Sequence, residues 1–264
     1  MKTSAAVILA VLISATQLWA GGIGDSVEVR IISDSGREIP FYPVLASNSD
    51  KKVYAEAVKG DHYRIFVRNK LNRRIGVVIA VDGRNIISGR KSWLKNDERM
   101  YILAPYAGHE YAGWRTGRDR INRFYFTETP DSYAAAFGDR TAMGVIAVAV
   151  YPEVRRYEPP AQLRGQESVP APSAPSGTGG PECRKSAERL DRSAGTGYGR
   201  TEYSPAYTVV FDPEPRAVER FYIKYEWRRT LCRLGIIGSA PRHPQPHNRL
   251  WDNAGFAPPP PGRE

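Results

Sequence analysis

The chain has 264 residues, 41% of them hydrophobic and 25% charged, an ordinary globular composition that excludes wholesale disorder, a collagen-like repeat and a polytopic membrane protein. Gly 24 and Pro 21 are in excess, and a net charge of +10 is carried with only 2 cysteines. That profile fits a basic, loop-rich, all-β protein and names no activity.

Residues 1–20 read as a signal peptide. Lys2 is the positive start, Ala5 to Ala15 form an uncharged apolar stretch of 11 residues, and Ala20 is a small residue at the cut. The stretch is shorter than the ~20 residues of a membrane-spanning helix. Leu18, at the −3 position, is bulkier than the cut prefers. Cleavage removes Lys2 alone and leaves +9, so the expectation is an exported protein, periplasmic or extracellular, with no transmembrane span. A diffuse positive charge in that compartment favours anionic envelope polymers, lipid headgroups or another envelope protein, not nucleic acid.

From residue 26 the hydrophobic period is two. Val27, Val29 and Ile31 alternate with Glu28 and Arg30, and Tyr63, Ile65 and Val67 alternate with Arg64, Phe66 and Arg68. Ile75 to Val81 is a continuous apolar run, which calls for a strand covered on both faces. Asp82-Gly83 is a strong hairpin turn signal. Further strands are expected at 99–104, 109–114, 121–127 and 144–151, with one short helix at 131–137 capped by Asp131. The spacing predicts an antiparallel β-sandwich core over 21–151, because no amphipathic helix separates the strands.

Residues 152–194 form a Pro/Gly-rich linker with seven prolines between 152 and 182. The pattern resumes over 195–237, where Tyr207, Val209 and Phe211, then Phe221, Ile223, Tyr225 and Trp227, predict two strands, followed by a short helix at 227–234. Since an isolated hairpin does not stand alone in water, this segment is expected to pack back on the core. Residues 238–264 read as a Pro-rich disordered tail. Cys183 and Cys232 lie 49 residues apart; a bridge between them would restrict the unfolded chain by about 4 kcal/mol, and two free thiols are the alternative.

No metal or cofactor is called for. His62, His109, His243 and His247 lack zinc-site spacing. Asp82-Gly83-Arg84-Asn85 resembles half a calcium loop but lacks the later carboxylates, and a hairpin turn explains it better. Ser92 and Ser132 lack a nucleophile elbow, and Gly195-Thr196-Gly197-Tyr198-Gly199 lacks the Lys-Ser/Thr of a phosphate loop. No catalytic residue is assigned. The best binding signal is Trp114 with Arg115, Arg118, Arg120 and Arg123, a ring face beside guanidinium forks suited to an anionic glycan. Trp93 between Lys91 and Lys95 is a second such cluster. Trp114 filling the core, with solvated or paired arginines, fits the same residues. The expected role is a non-catalytic binding or structural module; a glycan hydrolase using loop carboxylates such as Asp131 and Asp139 is the alternative.

Five segments occur in a familiar order: Val81-Asp82-Gly83-Arg84-Asn85, Gly113-Trp114-Arg115-Thr116, Arg123-Phe124-Tyr125-Phe126-Thr127, Asp131-Ser132-Tyr133-Ala134 and Gly144-Val145-Ile146-Ala147. In these the chain resembles a group of exported or hypothetical bacterial proteins over residues 50–151, with a weaker echo in 195–237. The resemblance implies a common β domain. That group has no assigned activity, so no catalytic or binding residue carries over.

Overall fold

The computed structural model describes residues 22–44, 51–155 and 193–238. The segment expected to be a signal peptide (1–20), most of the expected linker and nearly all of the expected tail lie outside the described residues, as does Cys183. Strands β1 (Val27–Ser33), β4 (His62–Asn69), β8 (Gly108–Tyr111), β9 (Gly113–Arg115), β10 (Arg120–Glu128), β12 (Ala194–Thr196) and β13 (Thr201–Tyr203) form one sheet. The second contains β2 (Phe41–Pro43), β3 (Lys51–Ala57), β5 (Ile75–Val81), β6 (Arg84–Asn85), β7 (Tyr101–Leu103), β11 (Val145–Pro152) and β14 (Glu219–Trp227).

The alternation in the sequence places the core between these sheets. Val27, Val29, Ile31, Tyr63, Ile65, Val67, Phe124 and Phe126 from the first sheet meet Val77, Ile79, Val81, Ile146, Val148, Phe221, Ile223 and Tyr225 from the second. β5 is buried at all seven positions. Its alternate residues Val78 and Ala80 join a smaller cluster with Leu94, Ala149 and Tyr151 on the outer face, so both faces of the apolar run are covered.

The fold is the expected β-sandwich, with one departure from a purely antiparallel arrangement. β14 pairs antiparallel with β11 and parallel with β3, which makes the second sheet mixed. β3 escapes the eye in the sequence because its inward residues are Val53, Ala55 and Ala57, and alanine carries little hydrophobic signal. The strand expected at 207–211 does not form. Ser204 and Ala206 donate their N–H groups to Asp119 and Arg118, while Val154 donates to Asp212 and Glu214 to Pro152. The segment between is therefore tied at one end to the first sheet and at the other to the second. It crosses between them as a strap, with Tyr207 and Val210 exposed.

The short helix is α1 (Tyr133–Ala136), and its cap is Ser132, not Asp131. The Ser132 hydroxyl accepts from the Ala135 N–H at 3.2 Å and donates to the Thr129 carbonyl at 2.7 Å, while Asp131 sits in the preceding 3-10 turn. α2 (Arg228–Arg233) follows β14 directly and stops before Gly235, whose φ of +70° suits the left-handed end of a helix. Cys232 lies on α2, half-buried, with no disulfide partner among the described residues.

Two buried carboxylates lock the sheets together near opposite ends of β14. Glu219, at its start, accepts the N–H groups of Asp25 at 2.8 Å and Ser26 at 2.9 Å at the entry to β1, and its partner cation is Lys51 at 2.9 Å. Asp82 holds the other end.

Candidate functional site

Asp82 and Gly83 are the two central residues of the turn joining β5 to β6, with φ of +49° and +78°. This is the left-handed pair that a two-residue hairpin requires. The turn points the Asp82 side chain inward, where it is fully buried. Its carboxylate accepts from the Gly144 N–H at 2.7 Å, the Thr196 N–H at 2.7 Å and the Tyr225 hydroxyl at 2.6 Å. Behind it, the Thr196 hydroxyl lies 2.7 Å from the Tyr225 hydroxyl and 2.8 Å from that of Tyr63. With Asp82 ionised, Tyr63 donates to Thr196, Thr196 to Tyr225 and Tyr225 to the carboxylate, so every proton has an acceptor. Burial pushes both phenols well above their usual range, which keeps them donors.

Burial raises the Asp82 pKa to about 6, against the opposing pull of Tyr225, the two N–H groups and the Lys224 charge. A carboxyl whose folded pKa exceeds its unfolded value of 3.8 favours the folded state most when protonated. Its contribution is full below the unfolded pKa and is lost as pH rises through 6. The stability of the wild type relative to Asp82→Asn is expected to fall by about 3 kcal/mol from acid to neutral pH. Urea unfolding across that range checks this. A difference that did not move with pH would mean that Asp82 ionises as readily folded as unfolded.

The Asp82 network fixes three segments that carry an exposed ridge of rings and cations. Arg84 follows the turn, Phe137 ends α1 ahead of Gly144, and Tyr198 follows Thr196. Tyr133 is the hub: its ring stacks on Tyr198 at 5.4 Å and meets Phe137 edge-on at 5.0 Å. The Arg84 guanidinium lies 4.3 Å from the Phe137 ring centroid. The Arg84 backbone pairs antiparallel with that of Lys91, whose ammonium lies 5.2 Å from the Trp93 ring. Trp93 is 68% exposed, Phe137 57% and Tyr198 45%.

Trp93 stands on a braced loop. The Glu98 carboxylate accepts the N–H groups of Trp93 at 2.7 Å and Lys95 at 3.0 Å and the Ser92 hydroxyl at 2.7 Å. Although partial burial opposes it, those bonds hold the Glu98 pKa below its ordinary value. Asn85, buried beneath, accepts from the Ile87 and Ser88 N–H groups and donates to the Arg99 carbonyl.

The residues singled out in the sequence separate into two groups. Trp114 is 2% exposed; its ring packs 4.3 Å from Tyr133 and edge-on to Phe124, and its indole N–H donates to the Gly197 carbonyl at 3.0 Å. It has no face for a ligand and serves as the support under Tyr133. Arg123 is buried between Asp34 and Glu202, so its fork is spent. Arg115 donates to the Tyr101 hydroxyl at 2.9 Å and the Ser204 carbonyl at 2.6 Å, anchoring the start of the strap. Arg118 and Arg120 are exposed. Arg120 stands opposite the exposed Tyr203 across the β10–β13 pairing and lies 3.4 Å from Asp119. His109 packs on Tyr111 at 5.0 Å, and burial together with the Arg115 charge holds its pKa low.

The five sequence segments 81–85, 113–116, 123–127, 131–134 and 144–147 converge here. They supply the Asp82 turn, the Trp114 support, the Phe124 and Phe126 core, the Ser132 cap with Tyr133, and the Gly144 donor. The pattern thus describes the frame of the ridge. Phe137, Tyr198 and the hub role of Tyr133 were not legible in the sequence, since they meet only through the fold. Among the described residues no group of His, Cys, Asp and Glu is placed to hold a metal ion, and no helix is long and apolar enough to cross a membrane. Comparison with protein families, with curated proteins and with solved structures finds no match for this chain.

Proposed function

We propose that this protein is an exported, non-catalytic binding module for an anionic glycan of the bacterial envelope. The observation that supports this is a pair of exposed ring and cation clusters, Tyr198 with Tyr133, Phe137 and Arg84, and Lys91 with Trp93, joined by the backbone pairing of Arg84 with Lys91. Sugar rings stack on exposed aromatic faces, and arginine forks take carboxylate or phosphate groups. Arg118 and Arg120 are exposed as well and add to the positive surface. Export through a signal at 1–20 and a Cys183–Cys232 bridge belong to the same reading.

Binding of the full exported chain to immobilised lipopolysaccharide and to a polyuronate tests it. Retention is expected to weaken as salt rises, because the cations are exposed. Trp93→Ala with Phe137→Ala should weaken it about tenfold or more, at roughly 1 kcal/mol per ring. Trp93 and Phe137 are surface residues, so folding should survive. Retention indifferent to the double variant would refute the site, and saturable consumption of the polymer would refute the non-catalytic role.

A further inference from the structure

A cleft with none of the ridge residues in its lining lies on the outer face of the second sheet. It is an open cleft of about 440 Å3, lined by Val44, Lys52, Tyr54, Val145, Tyr222 and Lys224. The parallel register of β3 and β14 makes its floor: Lys52 stands opposite Tyr222, and Tyr54 opposite Lys224. Two phenol rings and two ammonium groups therefore alternate on adjacent strands. Val145, opposite Lys224 on β11, gives the apolar side.

The cations differ in freedom. Lys224 is held in place, donating to the Met143 carbonyl at 2.7 Å and lying 3.2 Å from Glu226. Lys52 is exposed, with its ammonium 5.9 Å from the Tyr222 ring centroid. The carboxylates on this face, Glu56 and Glu226, stand opposite each other in the next row. Both already have partners, Glu56 in Arg228 at 2.9 Å and Glu226 in Lys224. The charge left for a ligand is positive.

We infer that this cleft is a separate ligand site for a single sugar ring carrying one anionic group. The ring lies over the Tyr54 and Tyr222 side and the anion meets Lys52, with Lys224 as the fixed second donor. The size falls in the range of small-molecule sites. A floor made by a sheet face is flat and open, which suits a ring and gives an acyl chain no tunnel to enter. The inference shares its ligand class with the proposed function but not its residues, so each can fail alone.

Titration of the full chain with galacturonate, with glucose 6-phosphate and with neutral galactose, followed by NMR shifts, tests it. Shifts of the tyrosine rings with one or both anions, and not with galactose, are expected; which anion binds separates a carboxylate from a phosphate ligand. Lys52→Gln should weaken that binding about fivefold, the loss of one exposed charge contact, and Tyr222→Ala should remove it. Trp93→Ala with Phe137→Ala should leave it unchanged. Equal binding of galactose, binding unaffected by Lys52→Gln, or no shift with either anion would overturn the inference.

Discussion

Replacing Asp82 by Ala is expected to lower the free energy of unfolding in mild acid by about 3 to 5 kcal/mol, measured by urea denaturation. The carboxylate is the common acceptor for two backbone N–H groups and one hydroxyl, all buried. A methyl group leaves the three donors without an acceptor, and each such orphan costs about 1 to 3 kcal/mol. Tyr225→Phe removes one donor and leaves the carboxylate with two, so its cost should be near 1 to 2 kcal/mol by the same reasoning. The ordering of the two is the informative result. If Tyr225→Phe cost as much as Asp82→Ala, the hydroxyl chain, not the carboxylate, would hold the sheets together. Because the folded carboxyl is stabilising chiefly when protonated, the Asp82→Ala loss should also be larger in mild acid than at neutral pH. Hydrogen exchange offers a second view: the Gly144 and Thr196 amides should lose protection in the variant ahead of the β5 and β11 ladder.

The division between what the sequence disclosed and what it concealed follows from the range of the interactions. Period-two alternation is local, so β1 and β4 could be read from their own residues, as could the apolar stretches of β10 and β11 and the Asp82-Gly83 hairpin. β5 could be placed at a doubly covered position because seven consecutive apolar residues admit little else. By contrast, the parallel neighbour of β14 was not legible, since β3 buries two alanines and one valine. The 207–211 segment misled because alternation there comes with no partner; its ends are claimed by different sheets. The site divides likewise. Trp93 between two lysines is a local signal, and the ridge contains it. The choice between a core Trp114 and an exposed one rested on Tyr133 and Gly197, which are 19 and 83 residues away in sequence. Arg123 looked like a free fork because its partners, Asp34 and Glu202, lie in distant segments.

Trp114→Ala is expected to cost about 3 to 5 kcal/mol, the range for removing a fully buried large aromatic side chain. The change empties the space beneath Tyr133, takes the edge-on neighbour from Phe124 and leaves the Gly197 carbonyl without its indole donor. Trp93→Ala should change stability by less than about 0.5 kcal/mol, because the ring is in water and Glu98 grips the loop through backbone N–H groups that alanine retains. The two tryptophans therefore predict opposite profiles, one in unfolding and the other in glycan retention. Trp114→Phe discriminates further. It keeps most of the support under Tyr133 but loses the hydrogen bond to Gly197, so part of the stability should return while Tyr198, next to Gly197, loses a constraint. If the ridge acts as a preorganised surface, that variant should bind the polymer more weakly than wild type although it touches no ligand. The extra loss should lie in a faster dissociation step, since contacts are loosened and the exposed charges that guide approach are intact. Unchanged binding by a folded Trp114→Phe would show that the ring ridge tolerates motion at Tyr198, and that Trp93, Phe137 and the cations beside them suffice.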